Sequence, residues 1–265
     1  MNKTVERTVR ALEFIAASDV PVTMADVRKA VDLPKSTASE ILNTLLDLGV
    51  LEYDNDRLGT LSAGLRYYEM SARFVGKNDL LALSGNCLSD LCRLSCKTAC
   101  LFLLNQNELV LMEKVDSTGI AQPQINRLQR FSLPHCAAGH AVLAAGTPKR
   151  IRRLVGNEPF ETGDDFPDGP ITGYDALFEA LAAAARRGYA LHVGGSGGDL
   201  FSIAAPVLQS GGAPIAALGI VGFTGNIAEE PLDTLGKQAA DSAMALSRKL
   251  GFTGNALYQK PELFE

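Results

Sequence analysis

The stretch from Pro34 to Gly49, PKSTASEILNTLLDLG, limits what this chain can fold into more than any other. Ala38, Ile41, Leu42, Leu45 and Leu46 recur at the spacing of one helical face. Pro34 suits a first helical turn, where its missing N–H would have no partner anyway. Gly49 stands where a helix stops in a left-handed turn. The opposite face carries Lys35, Ser36, Ser39, Glu40 and Asn43, which are polar and mostly short. Such a helix needs something apolar to dock against.

The flanking sequence supplies it. Val5, Val9, Leu12 and Ile15 or Ala16 predict a helix over 4–17. Thr23, three residues before Asp26, is a variant capping box that opens a short helix with Val27, Ala30 and Val31 on its buried face. The tight connection Asp32-Leu33 then leads into the helix begun by Pro34. Val50 to Tyr53 and Arg57 to Leu61 read as strands joined by the turn Asp54-Asn55-Asp56. Helix, helix, turn, helix and hairpin predict a winged helix-turn-helix over 1–61.

In that setting Lys35, Ser36, Thr37, Ser39, Glu40 and Asn43 form the candidate DNA-binding face. Lys, Ser and Asn donate to phosphates, and Asn can also pair with adenine in the major groove. Glu40 repels phosphates, but it can accept from a cytosine amino group or pair with a nearby cation. Arg57 is the natural wing cation for a minor groove or a phosphate. Residues 1–60 nevertheless hold seven Lys and Arg against ten Asp and Glu, and the whole chain of 265 residues carries -5. Few phosphates are then neutralised, so binding must be local and geometric, with a dimer doubling the contacts. A winged helix that serves only protein contacts, or a small-molecule sensor without direct DNA readout, is the alternative.

From Ser62 a helical stretch ending near Gly76 reads as a linker helix, and 62–79 is assigned to it. Residues 80–252 read as a second domain. It has a helix over 80–94, strands over 99–104 and 109–115, and a small-residue helix over 134–145. A helix over 176–187 is followed by strands over 189–193, 201–208 and 214–223, and a closing helix over 232–250. Residues 157–174, rich in Gly, Pro and Asp, read as a loop, and 253–265 as a loosely held tail. Helices before and after a run of strands predict an α+β domain with a largely antiparallel sheet.

Taken together, "RTVRALEFIA", "LPKSTASEILNTLLDLGVLEYD", "SLPHCAAGHAVLAAG", "RRGYAL" and "FSIAAPVLQSGGAPIAALGIVGF" resemble the isocitrate-lyase-regulator (IclR) family of transcription factors over nearly the whole chain. The resemblance implies a homodimer, possibly a dimer of dimers, bound to double-stranded operator DNA. It also implies a GAF-like C-terminal domain that binds a small organic or aromatic acid, and a regulator, here read as a repressor. The positions that line the family's effector pocket hold Ala137, Ala138, His192, Ser202, Gly219 and Val221. His192 and Ser202 take the places of an acidic residue and a thiol in the namesake, and are the candidate effector anchors. Glu40 stands where Arg is common, His140 where Lys is usual, and Gly194-Gly195 where an acidic pair is usual.

Other groupings carry less. His135 and His140 flank Cys136, but side chains so close along a helix diverge and no carboxylate orients them. Gly194 to Gly198 matches the nucleophile-elbow pattern around Ser196, yet a strand and not a helix follows it. Cys87, Cys92, Cys96 and Cys100 match no common zinc spacing. No catalytic residue, cofactor or metal is expected. With an odd number of Cys, no apolar N-terminal run and no spanning segment, the protein is expected in the cytoplasm and off the membrane.

Overall fold

A computed structural model describes residues 2–18, 20–55, 59–76, 79–119, 122–156, 160, 171–194, 199–225 and 231–264. The chain separates into two compact units, Met1–Asn78 and Asp79–Glu265.

The N-terminal unit opens with α1 (Lys3–Ala17), whose cap Asn2 accepts from the Thr4 and Val5 amides. The short strand β1 (Val22–Thr23) leads into α2 (Met24–Ala30) through a complete capping box. The Thr23 hydroxyl donates to Asp26 Oδ2 at 2.6 Å, and the Asp26 amide donates back to Thr23 Oγ1 at 3.3 Å. This hydroxyl bond, then the Thr23 amide bond, holds the Asp26 carboxyl below the usual carboxylate range.

The third helix, α3 (Lys35–Asp47), starts one residue after Pro34, which is its cap and not its first residue. The helix ends as Gly49 enters the left-handed region at φ 69°. There the Val50 amide donates to the Leu45 carbonyl and the Gly49 amide to the Leu46 carbonyl, both at 2.9 Å. This pair of bonds is a Schellman closure, and Val50 and Leu45 both enter the unit's core. That core gathers Ala11 and Ile15 of α1, Val27 of α2, and Ala38, Ile41, Leu42 and Leu45 of α3.

The wing is β2 (Leu51–Asn55) and β3 (Thr60–Ala63), with β1 paired on the other side of β3. The second strand therefore runs two residues beyond the expected Leu61. Ladder pairs Glu52 to Ser62 and Leu51 to Ala63 hold it there, so the following helix, α4 (Leu65–Gly76), starts three residues later than Ser62. Val5 and Val9 of α1 and Leu65, Tyr68 and Met70 of α4 stay exposed.

The C-terminal unit contains α5 (Asp79–Ser95), β4 (Thr98–Asn105), β5 (Glu108–Val115) and the three-residue β6 (Arg130–Ser132). It continues with α6 (Ala137–Ala144), α7 (Pro148–Val155) and α8 (Tyr174–Arg187). It ends with β7 (Ala190–Val193), β8 (Leu200–Leu208), β9 (Pro214–Phe223) and α9 (Leu232–Lys249). Among the described residues its strands form one sheet in the order β6-β5-β4-β9-β8-β7, antiparallel throughout. The architecture is α+β, as expected.

Side-chain alternation divides this unit into two cores. Ala99, Leu101, Ile203, Ala205, Leu218 and Ile220 face one way and pack with Leu88 and Leu91 of α5 and Ala239, Ala243 and Leu246 of α9. Cys100, Phe102, Ala204, Ala217 and Val221 face the other way and pack with α6 and α8.

Three expectations need correction. The helix expected over 134–145 is broken: a single 3-10 turn, Leu133–His135, precedes α6, and Cys136 between them is extended. Helix α7 and strand β6 were not anticipated, because one is a short basic helix with only Ile151 and Val155 buried and the other is too short for periodicity. The tail is docked and not loose, with Leu257 and Phe264 buried.

Replacing Gly49 by Ala places a Cβ in the left-handed region, which costs roughly 1–2 kcal/mol. We expect the N-terminal unit to melt several degrees lower by calorimetry, with Asn at the same position costing less. An unchanged melting temperature in Gly49→Ala would contradict this closure.

Candidate functional site

The N-terminal unit presents one polar helical surface. Lys35, Ser36, Glu40 and Asn43 are exposed on α3, and Thr37 and Ser39 are half-buried beside the apolar stripe. Thr44 turns its hydroxyl back to the Glu40 carbonyl at 2.7 Å. The neighbouring α2 adds Lys29, exposed, and Arg28, half-buried. Four of the six α3 candidates therefore lie on the surface turned from the core, and Thr37 and Ser39 flank it. A helix about 12 Å across with its side chains fits the major groove. Arg57 lies outside the described residues, so the wing cation has no structural account.

The C-terminal unit holds a cavity of about 490 Å³ on the α6 side of its sheet. Phe102, Ile125, Phe131, Leu200 and Val221 give it an apolar body. Phe102 and Phe131 meet edge to face, with ring centroids 5.4 Å apart. Polar groups come from Gln124, Gln129, Ser132 and His135 on one side and from His192 and Ser202 on another. Among the described residues that line it there is no carboxylate. Glu108, beside the cavity, is ion-paired with the lining residue Arg130.

The sheet register explains why His192 and Ser202 come together. They are directly opposite in the β7–β8 ladder, and Ser202 is in turn opposite Val221 of β9. Four of the six residues suggested for the effector pocket, Ala138, His192, Ser202 and Val221, line this cavity. Ala137 and Gly219 do not. Ala137 is fully buried, and a Cβ on Gly219 would lie 2.2 Å from the Ile203 carbonyl oxygen. The sequence reading missed the contribution of 124–135. The sequence analysis assigns no element between 115 and 134, and nothing local there says that the chain returns to pair with β5.

The α6 wall is fixed by short-range contacts. Cys136 caps the helix: its Sγ accepts from the Gly139 amide at 3.3 Å and donates to the Ser132 carbonyl at 3.3 Å. His140 Nε2 donates to the Pro134 carbonyl at 2.9 Å. The thiol and the second histidine are thus engaged with backbone. The four other cysteines scatter: Cys87 and Cys92 enter one core and Cys100 the other, and Cys96 is exposed. Burial pushes the Cys100 thiol up to about 12. Residues 195–198, Ser196 included, lie outside the described residues, and the element beyond them is strand β8. No helix of the described residues is long and apolar enough to cross a membrane.

Comparison with known proteins gives a consistent picture. The profile of the IclR helix-turn-helix domain matches residues 4–55, and that of the bacterial transcriptional regulator IclR C-terminal region matches 72–248. The HTH-type transcriptional regulator XynR of Escherichia coli is 27% identical over 252 residues, covering 94% of this chain and 98% of XynR. The HTH-type transcriptional repressor AllR of Escherichia coli is 24% identical over 254 residues, covering 94% of this chain and 90% of AllR. Among solved structures, an IclR homolog from Microbacterium hydrocarbonoxydans complexed with 4-hydroxybenzoate has the same fold. It superposes with a TM-score of 0.77 at 24% identity, covering 93% of this chain and 98% of that one.

A Cβ at Gly139 would sit 2.0 Å from the Leu133 carbonyl oxygen. Gly139→Ala must therefore displace the turn beside the cavity, and we expect urea unfolding to show a loss of about 1–3 kcal/mol. A loss under about 0.5 kcal/mol would mean that the approach is not tight.

Proposed function

This chain belongs to the IclR family of bacterial transcriptional regulators, and on that premise we propose that it represses transcription by binding operator DNA and releases or rearranges on binding a small organic or aromatic acid. The observation that carries the DNA half is α3: its apolar stripe is buried and its polar residues face out. Lys35, Ser36, Thr37 and Ser39 donate to phosphates, and Asn43 and Glu40 read base edges. Arg57 is assigned to the wing contact by sequence alone. AllR, named as a repressor, supports the repressor reading.

The effector half rests on the cavity. An apolar, partly aromatic body with several donors and, among the described residues, no lining carboxylate suits an acid with an apolar body. His192 and Ser202 are its proposed anchors. The relative bound to 4-hydroxybenzoate points to the same ligand class.

We take the working form to be a cytoplasmic homodimer, possibly a dimer of dimers. The exposed Val5, Val9, Leu65, Tyr68 and Met70 give the N-terminal unit apolar surface that a second copy would cover. Two copies would place their α3 helices in successive major grooves, about 34 Å apart. We assign 1–61 to DNA binding, 62–79 to the connector and 80–252 with its tail to sensing, with no catalytic step. One observation favours the alternative of a protein-contact winged helix: the acidity of residues 1–60.

Fluorescence anisotropy with the chain's own upstream DNA tests the proposal. We expect sequence-dependent binding that weakens with salt. Lys35→Ala should lower the salt slope by about 1 for each subunit, and Asn43→Ala should cost about 1–3 kcal/mol at one base position. Binding that ignores sequence, or none at all, would favour the protein-contact reading.

A further inference from the structure

The C-terminal segment holds both α6 and β8, two elements that border the cavity. Gln259 closes the C-terminal end of α6: its amide donates to the Ala144 carbonyl at 3.2 Å and its Nε2 to the Ala145 carbonyl at 3.3 Å. These carbonyls belong to the helix's last turn, where no intrahelical donor remains. The other end of the same short helix borders the cavity through Cys136 and Ala138. One residue earlier, the Tyr258 hydroxyl donates to the Ala204 carbonyl at 3.3 Å. Ala204 lines the cavity and is paired with Ala190, the rung two residues from His192 and Ser202 in the β7–β8 ladder.

Two further features show that this contact is built. Tyr258 packs against both cores of the unit. Its hydroxyl is buried, and burial raises its pKa, so the group remains a donor over the working pH range. On either side the segment is anchored by Leu257 and by Phe264, the latter stacked on Phe178 of α8 with centroids 6.4 Å apart.

We infer that Tyr258 and Gln259 are positioning residues for the effector cavity, a strap that ties α6 to the β7–β8 rung beside His192 and Ser202. Neither residue lines the cavity. Each acts through the backbone it holds. The inference rests on the proposed effector site for its meaning, but not for its test. Losing the strap should leave the sheet intact and let α6 and the β7 edge move relative to each other.

Amide hydrogen exchange on the full chain separates this from simple tail packing. Tyr258→Phe keeps the ring and removes one hydroxyl, and Gln259→Ala removes the side-chain donor. We expect exchange at least about 10-fold faster in α6 and in β7, with α5 and α9 unchanged. Acceleration confined to residues 255–264 would overturn the strap, as would uniform acceleration across the whole unit. A second arm titrates 4-hydroxybenzoate by calorimetry. If it binds the unsubstituted chain, Tyr258→Phe should weaken it by about 10-fold while the melting temperature moves little. Unchanged affinity despite faster exchange would overturn the role in positioning. If neither this acid nor a panel of small acids binds the unsubstituted chain, the effector reading fails by itself, and the exchange arm still decides whether the strap exists.

Discussion

Two-sided burial of the six-stranded sheet is the constraint from which the sensing unit follows. An antiparallel sheet commonly leaves one face to water. Here both faces are apolar, so each needs a helical cover, and α5 with α9 and α6 with α8 provide them. The two covers differ in character. α5 and α9 are long helices of 17 and 18 residues whose one buried stripe lies on the sheet. α6 has eight residues, all buried. A short helix enclosed on all sides leaves the sheet uncovered next to its N-terminus, and the cavity occupies that space. Its floor is therefore the side chains that alternation sends to that face, with His192 and Ser202 in one cross-strand row beside Val221.

The DNA-binding unit rests on a simpler arrangement. Its first three helices, α1 to α3, share one core, and α3 gives up its apolar stripe to it. The Schellman closure at Gly49 turns the chain directly into the wing. With fewer cations than carboxylates in residues 1–60, discrimination must come mostly from groove fit and base edges.

Elements with strong periodicity and clear punctuation were legible from the residues. α3, the capping box at Thr23 and the strands β4, β8 and β9 carry their signals within a dozen residues. That His192 and Ser202 line one pocket was suggested by family likeness; their pairing across β7 and β8 comes from the sheet register, and no local pattern contains it. Failures fell where tertiary packing overrides local signal. α6 is apolar all round, so its break at Cys136 left no periodic trace. β6 exists because β5 offers it an edge. The tail has no regular pattern, and its order comes from side chains reaching α6, α8 and β8.

A regulator of this kind requires that acid and operator each change the affinity of the other by the same factor, because binding free energies are linked. The most direct measurement is calorimetric titration of the full chain with the small acid that most raises its melting temperature, done with and without saturating operator duplex. The dissociation constants should differ by about 5-fold or more between the two titrations, with a matching change in DNA affinity when the acid is present. Equal dissociation constants in the two titrations would show that the cavity and the α3 surface are not coupled, and would contradict the proposed regulation.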